Sequence, residues 1–363
     1  MPAEVVLLVF RWLPKCTLAR LARVCKRWLL LSQDESLWRR LDLGHATLPA
    51  GALGHVMTRG CCVLRLARAA LTSPVFVSHV TGDTTFPPAL GDSSGLDTSL
   101  TGTSSRLQYL DLSMASISPE CLEQVLAGCS VLRNLALELC RVTDTACAAI
   151  AGNRDLNVLH LGQVQGLTLE GISTILEKCR NLAELNLGWT ELGQESVSRV
   201  CGLLGPGLRR LCLAGNRHSL LDSHLAAMLD NCHNIRELDV SDCAQLSPAS
   251  LSLVLEKCLY LETLSTSRCY GIAPSAYLLL ANSPTLLYLN VFGLLREPAM
   301  VELKERLQGE LGRWFSLSLN NGHILKDILT FSGIEINKFM FTSVARPTVG
   351  IKRTSIWNLR VRD

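Results

Sequence analysis

Apolar residues recur along much of the chain in a fixed frame, L-x-x-L-x-L, in which the first, fourth and sixth positions are aliphatic. The frame reads LQYLDL from Leu107, LRNLAL from Leu132, LNVLHL from Leu156 and LAELNL from Leu182. It continues as LRRLCL from Leu208, IRELDV from Ile235, LETLST from Leu261 and LLYLNV from Leu286. Successive starts lie 25, 24, 26, 26, 27, 26 and 25 residues apart, a regularity that predicts one short strand per copy. Between strands the apolar spacing changes to three and four. Leu122, Val125 and Leu126 fall on one side of a helix, as do Ile172, Ile175 and Leu176, and again Leu251, Val254 and Leu255. Two weaker copies, LWRRLDL from Leu37 and CCVLRL from Cys61, precede the regular run. The stretch from Gly82 to Ser105 is rich in Gly, Ser, Thr and Asp, lacks any period, and reads as a mobile surface loop.

A repeat of about 20 to 29 residues with one strand and one helix per unit is that of leucine-rich repeats. No single unit buries its apolar side, whereas stacked units share one continuous core. The expectation for 107–308 is therefore an α/β solenoid, a horseshoe with parallel strands on the concave face and helices on the convex face. Cys129, Cys179, Cys232 and Cys258 each stand three residues before a strand. Metal ligands must converge, and one cysteine per rung instead runs along a ladder. These read as small apolar residues closing each helix.

Residues 1–40 follow a different pattern. Val5, Leu8, Val9 and Leu13, then Leu18, Leu21, Ala22 and Val24, describe short amphipathic helices broken at Pro14. So small a bundle has too little core to stand alone. Trp28 and Trp38 read as space-fillers between its helices.

Pro2-Ala3-Glu4 ahead of an apolar helix, then Leu13-Pro14, Leu18, Leu21, Val24-Cys25-Lys26-Arg27-Trp28 and Ser36-Leu37-Trp38 resemble an F-box. Its direct junction to the repeats, DESLWRRLDL, is similar to that of F-box/leucine-rich-repeat proteins. The resemblance implies that Pro2, Val5, Leu8, Leu13 and Pro14 face the adaptor subunit that joins F-box proteins to a cullin scaffold. The family places further residues upstream of Met1, so a shortened or alternatively spliced form with reduced adaptor affinity is expected.

Composition narrows the field further. With 48% hydrophobic and 18% charged residues, 363 residues can bury a large core and form more than one domain. The net charge of +3, from 35 basic and 32 acidic residues, supplies no overall field for nucleic acid or a membrane surface. Fifteen cysteines, an odd number, with no signal peptide and no Asn-x-Ser/Thr acceptor, point to reduced thiols inside the cell. No uncharged apolar run reaches the length of a membrane span. Gly91-Asp92-Ser93-Ser94-Gly95 matches G-x-S-x-G but lies in the aperiodic loop, away from any strand-to-helix turn. No catalytic residue, metal or cofactor is expected.

Two segments follow the repeats. One, 309–333, has no counterpart in the family pattern; its WFSLSL followed by Asn-Asn-Gly reads as an unpaired insertion beside the last repeat. The other, 334–363, is similar to the family's tail from Phe341 to Val361, which implies that it folds back along the concave face. From Lys338 on it carries six basic residues and one acidic one, which leaves nucleic-acid binding as a competing reading of the tail.

Side chains just past a strand need not pack a core and are free to bind. Trp189, Arg217, Asp242, Arg268 and Tyr270 all sit there, and an aromatic beside opposite charges is hot-spot composition. Solvated rim residues are the bland alternative. The resemblance implies that Trp189, Arg217 and Asp242 dock a cyclin-kinase-regulatory accessory subunit. It implies that Arg268 and Tyr270 meet an acidic residue near the phosphothreonine of a cyclin-dependent-kinase inhibitor. The function it implies is the substrate-recognition subunit of an SCF (cullin-RING) E3 ubiquitin ligase, resident in nucleus and cytoplasm. A leucine-rich-repeat scaffold or inhibitor without ligase association is the other reading.

Overall fold

A strand three residues long gains stability from a buried central side chain and from paired neighbours. The repeat frame supplies both to its inner rungs, because its fourth position is the strand centre and recurs in register. A computed structural model describes residues 2–76, 105–291, 293 and 316–318. These divide into two units after Leu156.

The first unit opens with three helices, α1 (Ala3–Phe10), α2 (Lys15–Leu21) and α3 (Lys26–Ser32). Pro14 ends the first and caps the second, since its fixed φ of -56° suits a helix start and its missing N–H is not needed there. Val6, Phe10, Leu18 and Leu37 form the buried core of this head, with Leu7, Leu13, Leu21, Leu31, Trp28 and Trp38 packed around it. Phe10 meets Trp28 edge to face, ring centroids 5.6 Å apart, and Trp38 Nε1 donates to the Ser32 carbonyl at 2.6 Å. Both tryptophans thus fill space between small helices. The inner face of α1 differs from the one its sequence suggested. Val6 and Phe10, four residues apart, point at the core, while Val5, Leu8 and Val9 are exposed.

Four strands of this unit pair in parallel in chain order: Arg40–Asp42, Val63–Arg65, Tyr109–Asp111 and Asn134–Ala136. Leu41, Leu64, Leu110 and Leu135 lie in register at their centres. The two weak sequence copies are therefore full rungs, and the ladder begins at Arg40. Thr47–Leu48 and Ala70–Leu71 pair separately. Helices Pro119–Ala127 and Asp144–Ala151 pack side by side.

In the second unit seven strands, from Val158–His160 to Ser316–Ser318, pair in parallel in chain order, with Leu159, Leu185, Leu211, Leu238, Leu264, Leu289 and Leu317 in register. Helices Leu169–Lys178, Gln194–Leu203, Asp222–Asn231 and Pro248–Lys257 pack each on the next. Pro274–Asn282, in the following repeat, winds as a tighter 3-10 helix. Ile172, Ile175, Leu176, Leu251 and Val254 are buried as their spacing predicts, and Leu255 is half-buried. Cys179, Cys232 and Cys258 occupy helix C-caps, the closing role read from their position. Ser316–Ser318 pairs with Tyr288–Asn290, so this part of 309–333 extends the ladder and corrects the reading of an unpaired insertion. The rest of that segment, the loop from Gly82 apart from Ser105, and the tail 334–363 lie outside the described residues.

One backbone feature repeats in ten rungs, all those whose following turn lies among the described residues. The residue three places past the strand is left-handed, as His45, Arg68, Met114, Leu139, Gln163, Trp189, Gly215, Asp242, Arg268 and Gly293, with φ between 55° and 84°. Its N–H is carried to the next rung: Trp189 N donates to Ala214 O at 2.7 Å, Gly215 N to Ser241 O at 2.8 Å and Asp242 N to Ser267 O at 2.8 Å. Where the last strand residue is Asp or Asn, its carboxyl or amide oxygen accepts from the N–H two places on, as Asp42, Asp111, Asn186 and Asp239 do. That turn aims the chain into the left-handed residue and keeps the rungs hydrogen-bonded past the end of the sheet.

Candidate protein-binding faces

On the head, α1 is apolar on two sides. Val6 and Phe10 take the inside; Val5, Leu8, Val9 and Trp12 are 41%, 55%, 52% and 80% exposed. Val5, Leu8 and Val9, at i, i+3 and i+4, form one outer stripe that the module's own core does not use, and Trp12, in the turn two residues past the helix end, adds an exposed ring. Pro2 and Pro14 are exposed, and Leu13 is half-buried against the core. Val9 shares the apolar spacing of Val5 and Leu8 but stands outside the set that the resemblance implies, as does Trp12; the i+4 spacing from Val5 is the signal that finds Val9.

On the second unit, the five candidates line the strand ends, and three of them, Trp189, Asp242 and Arg268, belong to the row of left-handed residues three places past the strands, here called the rail. Trp189 is half-buried against Cys212 and Ala214. Arg217, exposed, holds its guanidinium carbon 5.8 Å from the Trp189 ring centroid, within cation–π range. Asp242 is buried and grips Arg268 in a fork: Arg268 Nε donates to Oδ1 at 2.8 Å and Nη2 donates to Oδ2. The Asp242 carboxylate raises the Arg268 pKa further above its ordinary value, so this guanidinium stays charged. Asp242 engages two of the five guanidinium N–H donors. Tyr270, two residues on, is 68% exposed.

The structure thus pairs Trp189 with Arg217 and Asp242 with Arg268. This cuts across the sequence grouping, which put Asp242 with the first two and Arg268 with Tyr270. Register explains it, because Asp242 and Arg268 are each three residues past neighbouring paired strands. A second ion-pair line crosses the strands, where Arg210 reaches Glu184 at 2.7 Å and Glu237 at 3.1 Å.

Comparison with known proteins follows the same division. Residues 51–310 match the family described as the SKP2 LRR domain, and residues 1–44 match the F-box-like family. The chain belongs to the SKP2 leucine-rich-repeat family. This F-box/leucine-rich-repeat protein is 28% identical to F-box/LRR-repeat protein 12 of Homo sapiens over 264 residues, 59% of this chain and 78% of that protein. Among solved structures, it is similar to a chain of the yeast Rad7 and Elc1 complex at 16% identity, over 55% of this chain and 67% of that one, with a TM-score of 0.34. It is also similar to an internalin of Listeria monocytogenes at 13% identity, over 70% and 67%, with a TM-score of 0.42.

Proposed function

We propose that this F-box/leucine-rich-repeat protein is the substrate-recognition subunit of a cullin-RING ubiquitin ligase of the SCF type. It contributes proximity and orientation, and the thiol chemistry of ubiquitin transfer belongs to other subunits. One observation carries the reading: a head whose small core is filled still exposes Val5, Leu8 and Val9 along α1 and Trp12 in the turn just past it. An apolar face of that kind is a docking surface, and on an F-box-like module its partner is the adaptor that leads to the cullin.

The junction DESLWRRLDL and the tail from Phe341 to Val361 support placing the chain with S-phase kinase-associated protein 2 inside its family. On that finer reading Trp189, Arg217 and Asp242 hold a cyclin-kinase-regulatory accessory subunit, and Arg268 and Tyr270 meet a phosphorylated cyclin-dependent-kinase inhibitor, in nucleus and cytoplasm. Since Asp242 already occupies part of the Arg268 fork, the pair acts as one unit that positions the remaining donors.

Co-purification with adaptor and cullin tests the ligase reading. The whole chain is expected to bring both down, while Leu8→Asp loses both and retains folded repeats. A folded wild-type chain that brings down neither is the scaffold or inhibitor of the competing reading.

A further inference from the structure

Glycine is the residue one expects where φ is positive, yet in this fold the rail seldom uses it. Eight rail positions, from His45 to Arg268, carry side chains at φ between 55° and 63°. The backbone at this position therefore accepts an L residue at those angles, while Gly215 and Gly293, at φ of 84° and 74°, sit beyond them. A second feature sets these two apart, the occupant of the space where a Cβ would stand. At Gly215 it is the Trp189 ring, with Cδ2 and Cε3 each 2.6 Å from that point. At Gly293 it is the Arg268 stem, with Cγ at 2.9 Å. Each occupant belongs to the rail residue of the preceding rung, and both are strand-edge candidates.

We propose that Gly215 and Gly293 are positioning residues: two notches in the rail in which the Trp189 ring and the Arg268 stem lie flat. In the first notch the ring is held between Gly215 and the Cys212 and Ala214 side chains, with Arg217 5.8 Å from its centre. Its orientation is thereby set before any partner arrives, which lowers the ordering cost of binding. In the second, the stem is pinned so that the guanidinium meets Asp242 squarely. The inference rests on the reading of this edge as a partner surface, and it adds that the recognition side chains are fixed by the absence of a neighbour's Cβ.

Gly215→Asn tests it, because asparagine is among the L residues most tolerant of the left-handed region, and the strain it meets at a φ of 84° is common to the Trp189 and Trp189→Ala backgrounds. Acrylamide quenching of Trp189, isolated by subtracting the matching Trp189→Phe protein, is expected to increase. Binding of the accessory subunit is expected to weaken by about tenfold, the scale of a displaced hot-spot aromatic. In a Trp189→Ala background Gly215→Asn should have no further effect on binding, and Met114→Asn, which puts asparagine on a left-handed position that already carries a side chain, should alter neither readout. Unchanged quenching, or an equal binding loss with and without Trp189, overturns the proposal. If the wild-type chain fails to bind the accessory subunit, the partner reading falls while quenching still decides the notch. Should Gly215→Asn not fold, the Trp189→Ala/Gly215→Asn protein decides: it folds if the ring is the obstacle, and its failure overturns the proposal.

Discussion

At the scale of single residues, the strand edge is organised by side chains that answer each other across one rung. Asp242 is buried and Arg268 partly so, which makes their fork worth more than a surface ion pair. Asp242→Asn is expected to cost about 1–2 kcal/mol in urea denaturation, less than a fully buried pair because Arg268 keeps some solvent. Arg268→Glu sets two carboxylates face to face and should weaken phosphosubstrate capture while leaving adaptor binding intact; equal loss of both in pull-downs would mean misfolding. The cysteines make a second residue-scale prediction. Desolvation pushes Cys61, Cys129, Cys201, Cys232 and Cys258 up to about 12, and Cys140 and Cys179 to about 11. An unfolded thiol ionises near about 8.5, so the folded state holds these protons more tightly. Their contribution is fully present below that pH and is lost as pH climbs to about 12. Melting temperature should fall steadily across this interval, and a flat profile up to pH 11 would contradict the assignment. Native alkylation should mark Cys16 and Cys25, the exposed pair, well before the buried thiols.

At the scale of elements, the repeat was legible because its signal is redundant: a central leucine every 24 to 27 residues, then helical spacing, then a cap. The caps follow the same logic. Ser118, Thr143 and Thr168 each accept a backbone N–H three residues on. Thr168→Ala should cost about 1 kcal/mol by thermal melting, whereas an effect below a few tenths would mean that the hydroxyl is dispensable. The notch and the fork were harder to read, since both join residues about 26 positions apart that come together only through register. The outer stripe of α1 was half legible. A helix apolar on both sides gives no unique inner face, and Val5, Leu8 and Val9 compete with Val6 and Phe10 for the core. Phe10 decides the competition, because its ring can lie edge to face with Trp28.

At the scale of the molecule, the chain divides its work between a helical head that exposes apolar surface and repeat strands whose ends present paired, oriented side chains. The repeats bury a leucine at each strand centre from Leu64 to Leu289, so stacking supplies their core, and the outer face of α1 takes no part in it. Changes on the outer face of α1 should therefore leave repeat stability untouched. The most direct measurement is calorimetric titration of the adaptor into the whole chain and into its Leu8→Asp variant. The account predicts saturable binding with a negative heat-capacity change for the wild type, no binding for the variant, and the same repeat melting in both. Saturable binding by Leu8→Asp, or none by a well-folded wild type, would contradict it.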